Sequence, residues 1–323
     1  MNRVLVTGGC GFLGGAYLMH LVQARRDCEV TNFDALTYAA QPARLSPLES
    51  EPRYHFVHGD LAEARQVRAL FKTHGPFDRV IHFAAETHVD RSLKTAVPFV
   101  LSNVLGTQNL LDAFRAQNSG RLIHISTDEV YGPVPPGTFL KEDAPLHPRN
   151  PYAATKAAAD HLVLAAVRSY GLDAWILRSV NVYGPGQFPE KLIPLSVTTL
   201  LSGGTIPLYG DGAQVRDWLY VDDFVRGVCR VEDQGKPGDI YHIATQDERA
   251  NRRVAEMICA LCEVPVADGI ELVDDRPGHD RRYGLDSSKL RALGWQPETD
   301  FGSGLRRTVD YFRAHPHRPA GIR

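Results

Sequence analysis

The chain has 323 residues with 36 Lys+Arg against 38 Asp+Glu, 43% hydrophobic and 23% charged, proportions that argue against disorder and against a basic nucleic-acid surface. The formal net charge of -2 gives no broad field, so any anionic ligand must be held by local groups. The length suggests about two domains, no apolar run reaches the ~18 residues of a membrane span, and five cysteines with no leader pattern point to the reducing cytoplasm.

Short apolar runs at 4–6, 29–33, 54–57, 79–83 and 122–126 alternate with longer segments of helical character, the rhythm of repeated strand-helix units. The run 121–126 is apolar at both alternating sets of positions, as a parallel strand covered on both faces requires. This predicts an α/β fold built on a doubly wound parallel sheet. Between 132 and 151 stand Pro133, Pro135, Pro136, Pro145, Pro148 and Pro151, too many for a regular element, so a long loop over the cleft is expected. A helix over 152–170 follows, with Pro151 placed for its first turn, and then a strand at 174–177. From about 183 the pieces shorten: a helix at 190–201, a hairpin-like 206–220, helices near 222–231, 251–262 and 301–314, and a frayed end at 315–323. These form a smaller second lobe.

The first run leads into Thr7-Gly8-Gly9-Cys10-Gly11-Phe12-Leu13-Gly14, a glycine motif between a strand and a helix. Gly8 and Gly11 let the backbone turn tightly and approach a pyrophosphate, Gly14 lets the helix pack near the sheet, and the helix N-terminus faces the anion. The second run ends in Asp34, followed by Ala35, Leu36 and Thr37, about 20 residues past the glycines. A carboxylate there accepts from a ribose 2'-hydroxyl and repels a 2'-phosphate, which points to NAD over NADP; an ordinary turn residue is the plain alternative. Asp60 and Leu61 would lie near the adenine, and Phe83, Ala84, Ala85 and Thr87 under the cofactor. The expected division is a NAD-binding Rossmann domain over 1–182 and mainly a nucleotide-sugar lobe over 183–323, with chain exchanged between them.

Tyr152 and Lys156 are four residues apart and share one helix face. A neighbouring ammonium and a cationic nicotinamide would both favour phenolate, giving a usable base. The spacing also occurs on solvated helices. What adds weight is the fifth strand, which ends in Ser126-Thr127-Asp128-Glu129 at the edge where such sheets place ligands. Thr127 could bond a sugar hydroxyl facing Tyr152. Asp128 and Glu129, taken as neighbours in extended chain, would diverge and address different atoms, one as acid and one as base. Two carboxyls in one cleft resist joint ionisation, so one can keep its proton near neutral pH. A solvated acidic turn is the alternative.

The blocks TGGCGFLGG, FDALTYA, HFAAETHVDRS, STDEVYG, PYAATKAAAD, NVYGPGQFPEKLIPL, PLYGDGAQVRDWLYVDD and RPGHDRRY resemble those of the dTDP-glucose 4,6-dehydratases, within the extended short-chain dehydrogenase/reductases. The resemblance implies a homodimeric NAD enzyme with an internal redox cycle. Tyr152, assisted by Thr127 and Lys156, removes the C4 hydroxyl proton as C4 hydride passes to NAD. Glu129 takes the C5 proton, Asp128 protonates the departing C6 hydroxyl, and hydride returns to C6. By the same resemblance Ser102 and Val182 join the cofactor set, and the substrate falls to Thr87, Thr127, Asn181, Glu190, Lys191, Leu192, Pro207, Tyr209, Arg216, Asn251, Arg276 and His279. Arg216 and Arg276 are assigned to the diphosphate and Tyr209 to stacking on the base.

Three departures from the family pattern stand out: Val182 in place of a second asparagine, Asp222-Asp223-Phe224 after the WLYV run, and a short loop before Asp275. Arg281 and Arg282 could be ligand contacts or salt bridges. The Cys259-x-x-Cys262 spacing reads as a core helix face, and the 13 histidines are scattered, so no metal is expected. Competing readings are a nucleotide-sugar 4-epimerase or decarboxylase, the same dehydration of a UDP-sugar, and a NAD-binding scaffold without chemistry. The Asp128-Glu129 pair speaks for dehydration.

Overall fold

The computed structural model of the chain describes residues 2–316. Along them lie the strands β1 (Asn2–Thr7), β2 (Cys28–Asp34), β3 (Tyr54–His58), β4 (Arg79–His82), β5 (Arg121–Thr127), β6 (Ala174–Ser179), β7 (Asn181–Tyr183), β8 (Ile206–Tyr209), β9 (Val215–Tyr220), β10 (Ile240–Ile243), β11 (Glu248–Ala250) and β12 (Ile270–Val273). Seven of them form one sheet in the order β10-β6-β5-β4-β1-β2-β3, with every neighbouring pair parallel. Chain order runs outward from β1 in both directions, so β1 and β4 flank the switch point where a crevice opens at the strand ends.

Alternation along the strands builds two cores. Leu5, Val80, Leu122 and Ile176 pack on one face of the sheet, and Val4, Val6, Ile81, Ile123 and Leu177 on the other. Both faces are therefore buried, which is why these strands read as unbroken apolar runs. The predicted strands of the large sheet lie within two residues of the observed ones at either end, and the helices Pro151–Tyr170, Asn251–Cys262 and Phe301–Ala314 sit where periodicity placed them.

The smaller lobe departs in one respect. Residues 206–220 do not form a hairpin: β8 pairs with β12, while β9 lies between β7 and β11. Gly210 and Gly212, at φ 56° and 70°, turn the chain into a different sheet instead of folding it back. The helix expected from 190 starts at Leu192, because a tight turn carries Phe188 to Lys191. Tyr183, Ile193, Trp218, Ile258 and Leu305 form this lobe's core, with Cys259 fully buried among them. Although it follows residue 183, β10 completes one edge of the large sheet. Asp223 is fully buried and accepts from the Glu298 and Thr299 amides at 2.8 and 3.0 Å, fixing the approach to the last helix. That gives the unusual Asp222-Asp223-Phe224 a structural role.

The proline-rich segment 132–150 is anchored, not free. Arg282 donates from one guanidinium nitrogen to the carbonyls of Pro135 and Thr138 at 2.7 and 2.8 Å and from Nε to Glu248 at 3.0 Å. The Val134 and Leu140 amides bond the carbonyls of Arg282 and Gly284. Arg282 is thus a buried anchor, whereas Arg281 pairs with Asp211 at the surface, where such a pair contributes little. Of the end expected to fray, 317–323 lies outside the described residues.

Candidate active site

The glycine motif forms a cradle that larger residues would fill. A Cβ on Gly8, which sits at φ 73°, would lie 2.6 Å from the Ala84 amide nitrogen, and one on Gly14 would lie 2.4 Å from the Gly8 carbonyl oxygen. Gly11 precedes the helix Phe12–Ala24, which has no side-chain cap, so its first amides at Phe12, Leu13 and Gly14 are presented to an anion. Asp34 ends β2 with its carboxylate placed by the Cys10 and Leu36 amides at 2.9 and 2.8 Å. Burial raises its pKa, and those two amides oppose the rise. Beside it opens a cavity of about 490 Å³ lined by Phe33, Ala35, Thr37, His58 and Asp60 among others. Leu61 is buried, Phe83 packs on Tyr17 with ring centroids 5.6 Å apart, and Ser102 lies on the helical turn over Val100–Leu105. Ala85 follows Ala84 out of β4, and Val182 leans into the cores of both lobes. The glycine cradle, an uncapped helix start and an acid beside an open cavity fit a dinucleotide.

At the carboxyl end of β5, Thr127 donates to Asp128 Oδ1 at 3.1 Å and accepts from the Glu129 amide at 3.3 Å. The chain here is not extended, as the sequence reading took it to be: Asp128–Tyr131 is one tight helical turn capped by Thr127. Successive side chains still diverge there, about a third of a turn apart. Asp128 is 3% exposed, and its carboxyl is pushed up to about 8 by burial and then by Glu129, against Arg216 and the Thr127 hydroxyl. The acid that can keep its proton near neutrality is therefore Asp128. Glu129 is more open, and its Oε2 accepts from Asn150 at 3.1 Å.

Asn150 does two jobs. Its Oδ1 caps the helix Pro151–Tyr170 through the Ala153 amide at 2.8 Å, while its Nδ2 holds Glu129. Tyr152 follows in the first turn, 8% exposed and edge-on to Phe99. Burial raises its phenol, with Glu129 adding to the rise and the Thr127 hydroxyl opposing it. Lys156, also buried, donates to the Ile125 carbonyl at 2.7 Å and lies 3.4 Å from His124 Nε2. Burial pulls its ammonium down to about 8, with Asp160 opposing. Within the protein itself desolvation is the largest influence on the phenol; the phenolate expected from the sequence calls on the Lys156 ammonium together with a cationic nicotinamide.

The residues expected to hold substrate come from both sides of residue 183: Thr87, Thr127 and Asn181 precede it and the others follow. Thr87 is exposed, and its carbonyl accepts from Lys191 Nζ at 2.8 Å. Glu190 accepts from Tyr38 at 3.0 Å, and Leu192 starts the next helix. Asn181 opens β7 and Pro207 lies in β8. The Oδ1 of Asn251 is buried without a partner, so it can accept from a ligand. Arg216 gives its nitrogens to the carbonyls of Val215 and Asp280 at 2.8 and 2.9 Å, with its guanidinium 4.5 Å from the Tyr283 ring centre. His279 bonds Asp275 at 2.6 Å and meets Tyr209 edge-on. Tyr209 and Arg276 both bond Asp90. Sequence reasoning missed Asn150, although an Asn-Pro pair at a helix start is a cap signature. It also gave no role to Tyr283, whose hydroxyl donates to Asp280 at 2.9 Å and lies 3.5 Å from Glu129 Oε2.

Comparison with known proteins gives the family. A family model described as GDP-mannose 4,6 dehydratase matches residues 5–308. The dTDP-glucose 4,6-dehydratase of Streptomyces antibioticus is 46% identical over 99% of this chain and 97% of its own. The one from Actinoplanes sp. is 44% identical over 97% and 98%. The chain belongs to the dTDP-glucose 4,6-dehydratase family. Among solved members, DesIV of Streptomyces venezuelae, determined with NAD and TYD bound, superimposes with a TM-score of 0.93 at 45% identity, covering 97% of each chain. The fold extends beyond the dehydratases: the Thermus thermophilus UDP-glucose 4-epimerase complex with NAD gives a TM-score of 0.88 at 33% identity over 96% of this chain and 99% of that one.

Proposed function

We propose that this chain is a hydro-lyase that converts dTDP-glucose into dTDP-4-keto-6-deoxyglucose with NAD retained through the cycle. The observation that carries the reading is the Asp128-Glu129 pair, in which burial and a neighbouring carboxylate keep Asp128 protonated up to about 8. Moving hydrogen at C4 alone needs no such pair; losing water across C5 and C6 needs a separate acid and base. When bound between the glycine cradle and Asp34, NAD supplies the two-electron acceptor that takes hydrogen from C4 and gives it back at C6. Tyr152 removes the C4 hydroxyl proton with Thr127 beside it, Glu129 takes the proton from C5, and Asp128 delivers one to the departing C6 hydroxyl. Glu129 then returns its proton to C5. The labour divides between a NAD-binding lobe over 1–182 and mainly a nucleotide-sugar lobe over 183–323, with chain exchanged between them, as β10 in the large sheet illustrates.

Incubation with dTDP-glucose, and in parallel with UDP-glucose, tests the reading through the alkali-induced absorbance of a 4-keto-6-deoxy product. Formation from dTDP-glucose supports it; a C4 epimer alone overturns it in favour of epimerisation, and product from UDP-glucose alone overturns the base assignment. A methyl group is worth only ~1 to 3 kcal/mol of discrimination in an apolar pocket, so the two rates are compared and not merely detected.

The same reading extends to a homodimer in the cytoplasm. The segments 97–117 and 152–170 are the candidates for pairing two copies: Val97 and Tyr170 are 64% and 58% exposed, and Val100, Leu101 and Leu105 are exposed as well. The five cysteines are free, and among the described residues no helix is long and apolar enough to cross a membrane. Sedimentation velocity is expected to give a dimer, and a stable monomer would refute it.

A further inference from the structure

Asp90 lies in the first turn of the short helix Val89–Lys94, in the segment that leaves β4, and is half-buried. Its Oδ2 accepts from the Tyr209 hydroxyl at 3.0 Å and its Oδ1 from the Arg276 guanidinium at 2.9 Å. Tyr209 ends β8 and Arg276 stands on the loop after β12. One carboxylate of the large-sheet lobe therefore fixes two separate segments of the smaller lobe.

The network continues past those contacts. Asp275 Oδ1 accepts from the Arg276 amide at 2.8 Å and bonds the His279 ring at 2.6 Å, while its Oδ2 accepts from Gln214 at 3.0 Å. His279 lies edge-on to Tyr209 with ring centroids 6.0 Å apart. An isolated surface ion pair would contribute little. Here the Arg276 and Asp90 side chains are only 22% and 30% exposed, and the second carboxylate oxygen has its own partner. Against a burial that would raise it, the Arg276 guanidinium and the Tyr209 hydroxyl hold the Asp90 carboxyl below its usual range. A guanidinium has five N–H donors in a fixed fork, so one bond to Asp90 orients the fork and leaves donors for a diphosphate.

We propose that Asp90 is a positioning residue for nucleotide recognition, holding Arg276 toward the diphosphate and Tyr209 toward the base from the opposite lobe. The inference rests on the reading of Arg276 and Tyr209 as nucleotide contacts. The test measures dTDP binding by calorimetry, and KM and kcat with dTDP-glucose, for wild type, Asp90→Asn, Arg276→Ala and the double variant. Asp90→Asn is expected to weaken dTDP binding and raise KM by about tenfold, with kcat within about twofold. In the Arg276→Ala background the same change is expected to add less than about twofold.

Unchanged or tighter dTDP binding by Asp90→Asn overturns the proposal, as does full additivity in the double variant or a fall in kcat at constant KM. Tyr209→Phe removes only the second bond, and its binding of dTDP decides the matter if Asp90→Asn does not fold. Should the wild-type protein fail to bind dTDP, the nucleotide reading falls and takes this inference with it, a result the wild-type measurement shows by itself.

Discussion

Glu129→Gln is expected to lower turnover of dTDP-glucose by about three orders of magnitude, within the range typical for loss of a general base. The amide has nearly the shape of the carboxylate, so its oxygen can still accept from Asn150 and the local turn at Asp128–Tyr131 is kept. What is lost is the ability to take a proton from C5. Thr127, Tyr152 and Lys156 are untouched, so oxidation at C4 proceeds and a 4-keto hexose, trapped by borodeuteride, accumulates without incorporating solvent deuterium at C5. Unimpaired turnover, or deuterium uptake equal to wild type, would remove Glu129 from the role of base.

Asp128→Asn is expected to give a loss of similar size at a different step, with C4 oxidation retained and departure of the C6 hydroxyl slowed by about two to four orders of magnitude. The pH profile carries the sign of the effect. Asp128 must be protonated to act as the acid, and with its carboxyl raised to about 8 that form is present below pH 8 and lost above it. Lys156, lowered to about 8, loses its charge over the same interval. The wild-type kcat is therefore expected to fall steeply on the alkaline side of about pH 8, with both groups contributing. In Asp128→Asn the residual rate should fall less steeply, because only the lysine still titrates. An alkaline limb of unchanged slope would show that Asp128 is not the group being read.

The residues proposed for the chemistry lie close together in sequence, and that grouping was legible. Gly8, Gly11 and Gly14 sit within seven residues between a strand and a helix, Tyr152 and Lys156 within one turn, and Thr127, Asp128 and Glu129 in succession. Each spacing implies a shared face or a shared strand end without knowledge of the rest of the fold. What sequence could not give were partners brought together by topology. Asn150 reaches Glu129 across 21 residues, Lys156 finds the Ile125 carbonyl across 31, and Asp90 meets Arg276 across 186. Strand pairing failed for the same reason at β8 and β9, since a period of two identifies a strand but not its neighbour. The extended-chain reading of Asp128 and Glu129 failed on a smaller scale: Thr127 caps a turn there, and a hydroxyl followed by two acids suits a cap as well as a strand end.

The two carbonyls gripped by Arg282 belong to a stretch that carries five prolines between 132 and 150. Pyrrolidine rings remove freedom from the unfolded chain, so ordering this segment costs less conformational entropy than a loop of its length would otherwise demand. The guanidinium and the paired amides then hold the segment against the strand-like run 282–285. A chain already narrowed by its rings needs few such bonds to settle into one shape, and one buried side chain supplies two of them.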